Sequence, residues 1–240
     1  MVVGTCHCDT LGFKTDDLYQ LLCSIRPDII LNESAIDEKV SMIDWLKACA
    51  NYYKKRGGGE SAAILHYLED HQAEVLPYDI AGRNEYYAKK KYFEKEQAFN
   101  KVYADYFKQP TANPTAVYLN KLITNLQKKF GFDDNKDKHT LSDINSLQCD
   151  VEVETFIAVN NQINRALFAL VPEFAAYEKD FWGIINFHAR RDKAMIKNIL
   201  DYNRQFDSKT IMVICGYFHR YALIKMLQGK QAKEGFSLES

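Results

Sequence analysis

The sequence predicts an α/β fold, with a mostly parallel central sheet of about five strands, flanking helices and a large helical insertion between strands three and four. Three observations predict it. Short apolar runs at Val2–Thr5, Asp28–Asn32, Glu74–Tyr78 and Thr210–Cys215 have the continuous apolar character of strands buried on both faces of a parallel sheet. Amphipathic helical stretches separate the first three runs. About 130 residues then lie between Tyr78 and Thr210, far more than a normal crossover needs, and they read as helix almost throughout.

The first strand, Val2-Val3-Gly4-Thr5, is short and β-branched. A helix over 16–25 follows, with Leu18, Leu21, Leu22 and Ile25 on one face. Strand two, 28–32, is an apolar run bounded by polar residues. A longer helix over 37–56 ends at Gly57-Gly58-Gly59, read as a helix stop, and a shorter one covers 61–72. Strand three is 74–78. Helices are expected at 84–108, 115–130, 150–170 and 173–206, with breaks at 110–114 and 131–138. Strand four, 210–215, is the strongest of the set and leads into a helix over 218–228. The tail Gly235-Phe236-Ser237-Leu238 is read as a fifth strand. The chain, 1–240, is then one α/β domain, with 82–206 as a helical insertion capping one edge of the sheet.

Composition narrows the function classes. Lys and Arg number 31 against 32 Asp and Glu, so the net charge of −1 offers no electrostatic footprint for nucleic acid. The apolar runs are too short to span a bilayer. Six cysteines are scattered without a CxxC pair, which fits a reducing, cytoplasmic compartment. The N-terminus shows no signal peptide, although strand one begins so early that a trimmed upstream segment is expected. A small molecule or a peptide is the expected substrate.

In open α/β sheets ligands bind beyond the carboxyl ends of the strands. Strand one delivers His7 there, strand two Glu33, strand three Asp79 with Arg83 close behind, and strand four His219. Four strands that each end in a group able to bind metal or move protons form a convergent constellation. Gly4 and Gly216 each stand three residues before a histidine, where a residue without Cβ permits close backbone approach. His219 opens a helix, whose positive end favours an anion. Arg191 lies 206 − 191 = 15 residues before the expected end of its helix, roughly 22 Å at about 1.5 Å per residue. A six-residue strand spans about 20 Å, so Arg191 comes to the height of the strand carboxyl ends and can clamp a carboxylate or phosphate. His188 is one turn earlier.

Gly4-Thr5-Cys6-His7, Glu33, Arg191-Asp192-Lys193-Ala194-Met195 and Gly216-Tyr217-Phe218-His219 together resemble the TraB/Tiki-like family. That family belongs to the superfamily containing the erythromycin esterases and the haem-binding ChaN proteins. The resemblance covers roughly 1–35 and 188–222. It implies a metal-dependent hydrolase, peptidase- or esterase-like, in which His7, His219 and Glu33 hold a divalent ion (Zn, Mn or Co) and Arg191 holds a negative substrate group. A metal-free form uses His7 or His219 as general base. The alternative is a non-catalytic protein that binds haem or another ligand at the same site. Asp79, Arg83 and His188 are further candidate substrate contacts.

Plainer roles compete with each assignment. Glu33 can cap the helix after it, Asp79 and Arg83 can be an internal ion pair, and Arg191 and Asp192 can be a solvated helix face. His188 can be structural, and His66, His71 and His139 read as surface residues. Alternation along the strand turns Cys6 into the core, away from His7, and leaves Cys8 open. A Cys nucleophile paired with His219 is chemically conceivable. Asp133 to Asp137 resembles the start of a calcium loop. Lys138 and Ile144 stand where that loop needs Gly and Glu, so calcium is rejected. The aromatics between Tyr86 and Phe107 read as packing between insertion helices, with some lining a pocket.

Overall fold

The computed structural model describes residues 1–132 and 139–238; the calcium-loop resemblance at 133–137 lies outside them. Four parallel strands, β1 (Val2–Thr5), β2 (Ile29–Ala35), β3 (Glu74–Asp79) and β4 (Ile211–Gly216), form one sheet in the order β1-β4-β2-β3. The two strands that carry the GxxH motifs are therefore neighbours, with Gly4 beside Cys215 and Thr5 beside Gly216.

Side-chain alternation explains the apolar runs. Val3, Ile30, Met212 and Ile214 point into one buried cluster, while Val2, Ile29, Leu31, Val213 and Cys215 point into another. Both faces are thus covered. Helices α1 (Thr15–Ile25) and α3 (Gly59–Asp70) lie on the first face, where Leu18, Leu22 and Ile64 are fully buried. Helices α9 (Ala175–Gln205) and α10 (Tyr217–Gln228) cover the second, through Met195, Ile199, Leu223 and Leu227. Leu46 of α2 (Met42–Tyr52) joins the first cluster.

Between β3 and β4 the chain runs through α4 (Arg83–Lys90), α5 (Tyr92–Tyr106), α6 (Pro114–Phe130), α7 (Leu141–Ile144), α8 (Leu147–Leu170) and α9. A third cluster holds several of these together, with Tyr106, Ile123, Leu167 and Phe174 at its centre. Asn113 caps α6 through Thr115 and Ala116, and Pro114 occupies the first turn, where its missing N–H costs nothing.

Three expectations need correction. The described residues contain four strands and not about five. Gly235 ends the short helix α11 (Gln231–Glu234) in a left-handed conformation, and the tail then lays Phe236 and Leu238 on the second cluster without strand pairing. The helix expected at 37–56 begins only at Met42, capped by Ser41, because β2 continues to Ala35 through an irregularity after Asn32. Glu33 therefore sits inside the irregular end of β2 and does not follow it. The helix expected at 84–108 breaks at Lys91, which adopts φ 50°.

Gly4 lies within β1 and is tightly packed. A Cβ there would stand 3.0 Å from both Arg220 Cδ and Tyr217 Cβ, so the glycine admits α10 against the strand. Arg220 is buried and pairs with Asp150 of α8, fastening α10 to the helical region.

Candidate functional site

Right-handed crossovers make each helix that leads into a strand run antiparallel to it. Helix N-termini therefore join strand C-termini at one edge of the sheet. That edge collects charged residues from β2, β3, α3, α4, α9 and α10.

Arg191 is the centre. It is 5% exposed, on the mid-length of α9, at the height its distance from the end of α9 implies. Its Nε donates to the two Asp79 oxygens at 3.2 and 3.1 Å. Its Nη2 donates to Glu33 Oε1 at 2.6 Å and to Asp79 Oδ2 at 2.7 Å. Two buried carboxylates thus hold one planar fork from two sides, an arrangement lysine cannot reproduce. Glu33 Oε2 accepts the Gly216 N–H at 2.7 Å, which ties β2 to the end of β4. Arg83 Nη1 adds a bond of 2.8 Å to Asp79 and one of 3.0 Å to the Glu33 carbonyl. Asp79 and Arg83 are therefore the internal ion pair the sequence allowed, and Asp79 is wholly buried.

The third nitrogen of Arg191 is less engaged. Nη1 faces His188 Nδ1 at 3.3 Å, His219 Nε2 at 3.4 Å and the Tyr87 hydroxyl at 3.4 Å, all long contacts. His219 Nδ1 is bonded to Asp192 Oδ1 at 2.6 Å, and the His188 and His219 rings lie 6.0 Å apart.

Charge divides the two histidines. Burial, then the charges of Arg191 and His219, push His188 down to about 4, so this ring is neutral at pH 7. Burial also opposes protonation of His219, but the Glu33 charge and the Asp192 hydrogen bond outweigh it and raise its pKa above 6.5. Burial likewise opposes ionisation of Glu33. The charges of His219 and Arg191 and the Gly216 N–H prevail and hold its carboxyl at about 2.

His7 belongs to a separate pair. Its Nδ1 lies 3.2 Å from Glu60 Oε1, and the other oxygen of Glu60 accepts from the Thr5 hydroxyl. Glu60 raises His7 to about 9, first by that hydrogen bond and then by charge. The His7 side chain is 55% exposed, so solvent screens the pair and its stabilisation is about 1 kcal/mol or less. The sign follows from linkage: a raised folded-state pKa stabilises fully below pH 6.5 and is lost as pH rises through 9. Urea melts of wild type and His7→Gln should therefore differ most near pH 6 and converge above pH 9. A gap that persists at pH 10 would show that His7 stabilises by packing alone.

The edge thus brings together Glu33, Asp79, Arg83, His188, Arg191 and His219, and seats His7 on Glu60 beside them. Cys6 packs partly buried against the first core cluster, as alternation implies, and Cys8 is buried. His66 is exposed, as expected, with its ring 4.0 Å from that of Tyr19, whereas His71 is half-buried and stacks on Tyr67 at 4.4 Å. Sequence reasoning missed Glu60, Tyr87 and the role of Asp192. Glu60 was within reach: it follows three glycines at the N-terminus of a helix leading into β3, and topology sends that terminus to the carboxyl edge.

The three residues that the resemblance assigns to a divalent ion do not fit one here. Both Glu33 oxygens are engaged, by Arg191 and by Gly216, and His7 is engaged by Glu60. An ion on His219 Nε2 would lie against a guanidinium nitrogen 3.4 Å from that atom. Among the described residues no group of three or more His, Cys, Asp or Glu side chains is disposed to hold a metal. No helix among them is long and apolar enough to cross a membrane.

No protein-family model, curated protein or solved structure matches the chain. Fold and site alone define its class: an α/β domain in which an arginine of α9, locked by two carboxylates at the carboxyl edge of the sheet, faces two histidines whose pKa values are shifted in opposite directions.

Proposed function

We propose that this edge is the active centre of a hydrolase acting on an ester or peptide bond, by histidine acid–base chemistry around Arg191. The observation that carries the reading is the division of labour on one guanidinium. Nε and Nη2 are fixed by Asp79 and Glu33, and Nη1 is left facing His188 and His219. Two titratable groups driven apart by their surroundings mark an acid and a base. The likeness of the paired GxxH motifs to the TraB/Tiki-like family supports hydrolysis as the reaction type.

The chemistry follows from these positions. Neutral His188, whose Nδ1 faces Arg191, accepts a proton from the attacking water at Nε2 as its Nδ1 takes up the other tautomeric role, and the water oxygen bonds to the substrate carbonyl carbon. Arg191 Nη1 donates to the oxyanion that develops. Protonated His219, oriented by Asp192, gives its Nε2 proton to the leaving oxygen or nitrogen as the scissile bond breaks. The products are an acid and an alcohol or amine, and the proton on His188 returns to His219 through solvent. Glu33, Asp79 and Arg83 are positioning residues in this scheme.

Hydrolysis of 2-naphthyl acetate and of a fluorogenic peptide, each with and without a chelator, tests it. The kcat/KM profile should rise through pH about 4 as His188 loses its proton and fall at a pH above 6.5 as His219 loses its own. His188→Gln should remove the acid limb, His219→Gln the alkaline limb, and each should lower the rate by about 10²–10⁴-fold. Turnover that a chelator abolishes would restore a metal to the reaction, and no turnover of either substrate would end the hydrolase reading.

A further inference from the structure

A cavity of about 330 Å³ lies between α4, α5 and α9 and reaches His188. Its apolar walls come from Tyr86, Tyr92, Phe99, Tyr177, Phe181 and Ile184, and charged side chains line it as well, among them Lys95 and Asp180, which pair at 2.8 Å. Volume and lining match the lower range of small-ligand pockets, which are mostly apolar with a few placed polar groups. His188 is such a group, and it is also the ring that faces Arg191 Nη1 at 3.3 Å. The apolar space and the charged edge therefore meet at one residue.

Gly183 adds an independent observation. It stands inside the long helix α9, where glycine is a poor helix former compared with alanine. No close packing demands it, since a Cβ built there meets no atom within 4 Å. No turn demands it either, because its φ is not positive. Gly183 lines the cavity, so what its missing side chain preserves is open space on the cavity wall. Aromatic neighbours fix the remaining walls: Tyr86 stacks on Phe187 at 3.7 Å, and Phe99 sits 5.5–5.9 Å from Tyr177 and Phe181. A flat ring finds both apolar faces and ring edges there.

We propose that this cavity binds a ring-bearing apolar group of the ligand, with the ligand's carbonyl or carboxyl end directed past His188 to Arg191. The cavity is thus a specificity pocket for aryl or similarly bulky apolar groups. This rests on the hydrolase reading only for the statement that the ligand is the substrate.

Calorimetric titration of the intact protein with 2-naphthoate tests the pocket without requiring turnover. Wild type should bind at one saturable site. Gly183→Ala should melt at a higher temperature, as expected for alanine in a helix, and weaken binding by about two- to fivefold as its methyl takes part of the space. Gly183→Phe should weaken binding by at least about tenfold by filling the space, and Ile184→Trp should do the same from an adjacent position. Circular dichroism melts identify any variant that has lost its fold. Wild-type affinity in folded Gly183→Phe and Ile184→Trp, or no binding to wild type, overturns the proposal. His219→Gln separates the two readings, since it should lose hydrolysis of 2-naphthyl acetate while any naphthoate binding it retains stays sensitive to Gly183→Phe. Binding that responds to Gly183→Phe in a protein that hydrolyses nothing upholds the pocket and refutes the hydrolase.

Discussion

Arg191→Met is expected to lower stability by about 3–5 kcal/mol and to abolish turnover. Methionine keeps much of the aliphatic stem and removes the fork. The loss is then electrostatic, because two buried carboxylates were held by that fork. They do not suffer equally. Asp79 keeps Arg83 at 2.8 Å and the Ile80 N–H at 2.7 Å. Glu33 loses the cation at 2.6 Å and keeps the Gly216 N–H, the more distant His219 at 3.8 Å and the charge of His7. The uncompensated charge is therefore mainly that of Glu33, a carboxyl otherwise held ionised down to about pH 2. Glu33→Gln should rescue the stability of Arg191→Met by more than Asp79→Asn does, with a coupling of about 0.5–3 kcal/mol in a double-mutant cycle. Arg191→Lys restores the charge without the two-sided geometry. It should recover part of the stability while leaving kcat about 10²–10³-fold down, since a point charge cannot hold both carboxylates and still present a donor to the oxyanion. Equal rescue by both partners would mean that the charge is shared. A fully active Arg191→Lys would remove Arg191 Nη1 from the reaction.

The sheet was legible because both its faces are buried, which makes each strand a continuous apolar run. The four strand sites are recovered to within a residue or two, apart from the extension of β2 to Ala35. The end of β2 was not legible because Asn32, Glu33 and Ser34 are polar, and they continue the strand through tertiary bonds to Arg191 and Gly216. The height of Arg191 could be computed because helix and strand have fixed rises and the chain must return to the foot of β4. Its partners could be guessed only as residues at strand ends. Which histidine pairs with which carboxylate could not be read at all. His7 and His219 occupy equivalent places in two copies of one short motif, yet one is held by Glu60 of α3 and the other by Asp192 of α9. Those partners are 53 and 27 residues away, and only the packing of the helices selects them. The fifth strand failed for a similar reason: apolar residues at Phe236 and Leu238 serve as cover for the core, and composition does not distinguish cover from pairing.

Gly57-Gly58-Gly59 is the segment where a local reading was most incomplete, and Gly59→Ala is the second change expected to have a large effect. All three glycines have positive φ, of 79°, 81° and 64°, so the run is a left-handed track leading into α3 and more than a helix stop. A Cβ on Gly59 would fall within the His7 carbonyl group, and one on Gly57 within the Asp9 carboxylate. The track therefore seats the loop that follows β1, and it also delivers Glu60 to His7. Gly59→Ala combines a left-handed conformation, worth about 1–2 kcal/mol, with a collision against backbone that cannot turn aside. A total loss above about 3 kcal/mol is expected, measured by chemical denaturation. Gly82→Ala separates the two contributions, because Gly82 has φ 71° and a Cβ there meets nothing within 4 Å. It should cost only the conformational part, about 1–2 kcal/mol. In whatever fraction of Gly59→Ala remains folded, displacement of His7 from Glu60 should return the His7 pKa from about 9 toward 6.5, read from the histidine ring resonances in an NMR titration. If Gly59→Ala and Gly82→Ala cost the same and His7 still titrates near 9, the glycine track does not seat the histidine, and β1 alone positions it.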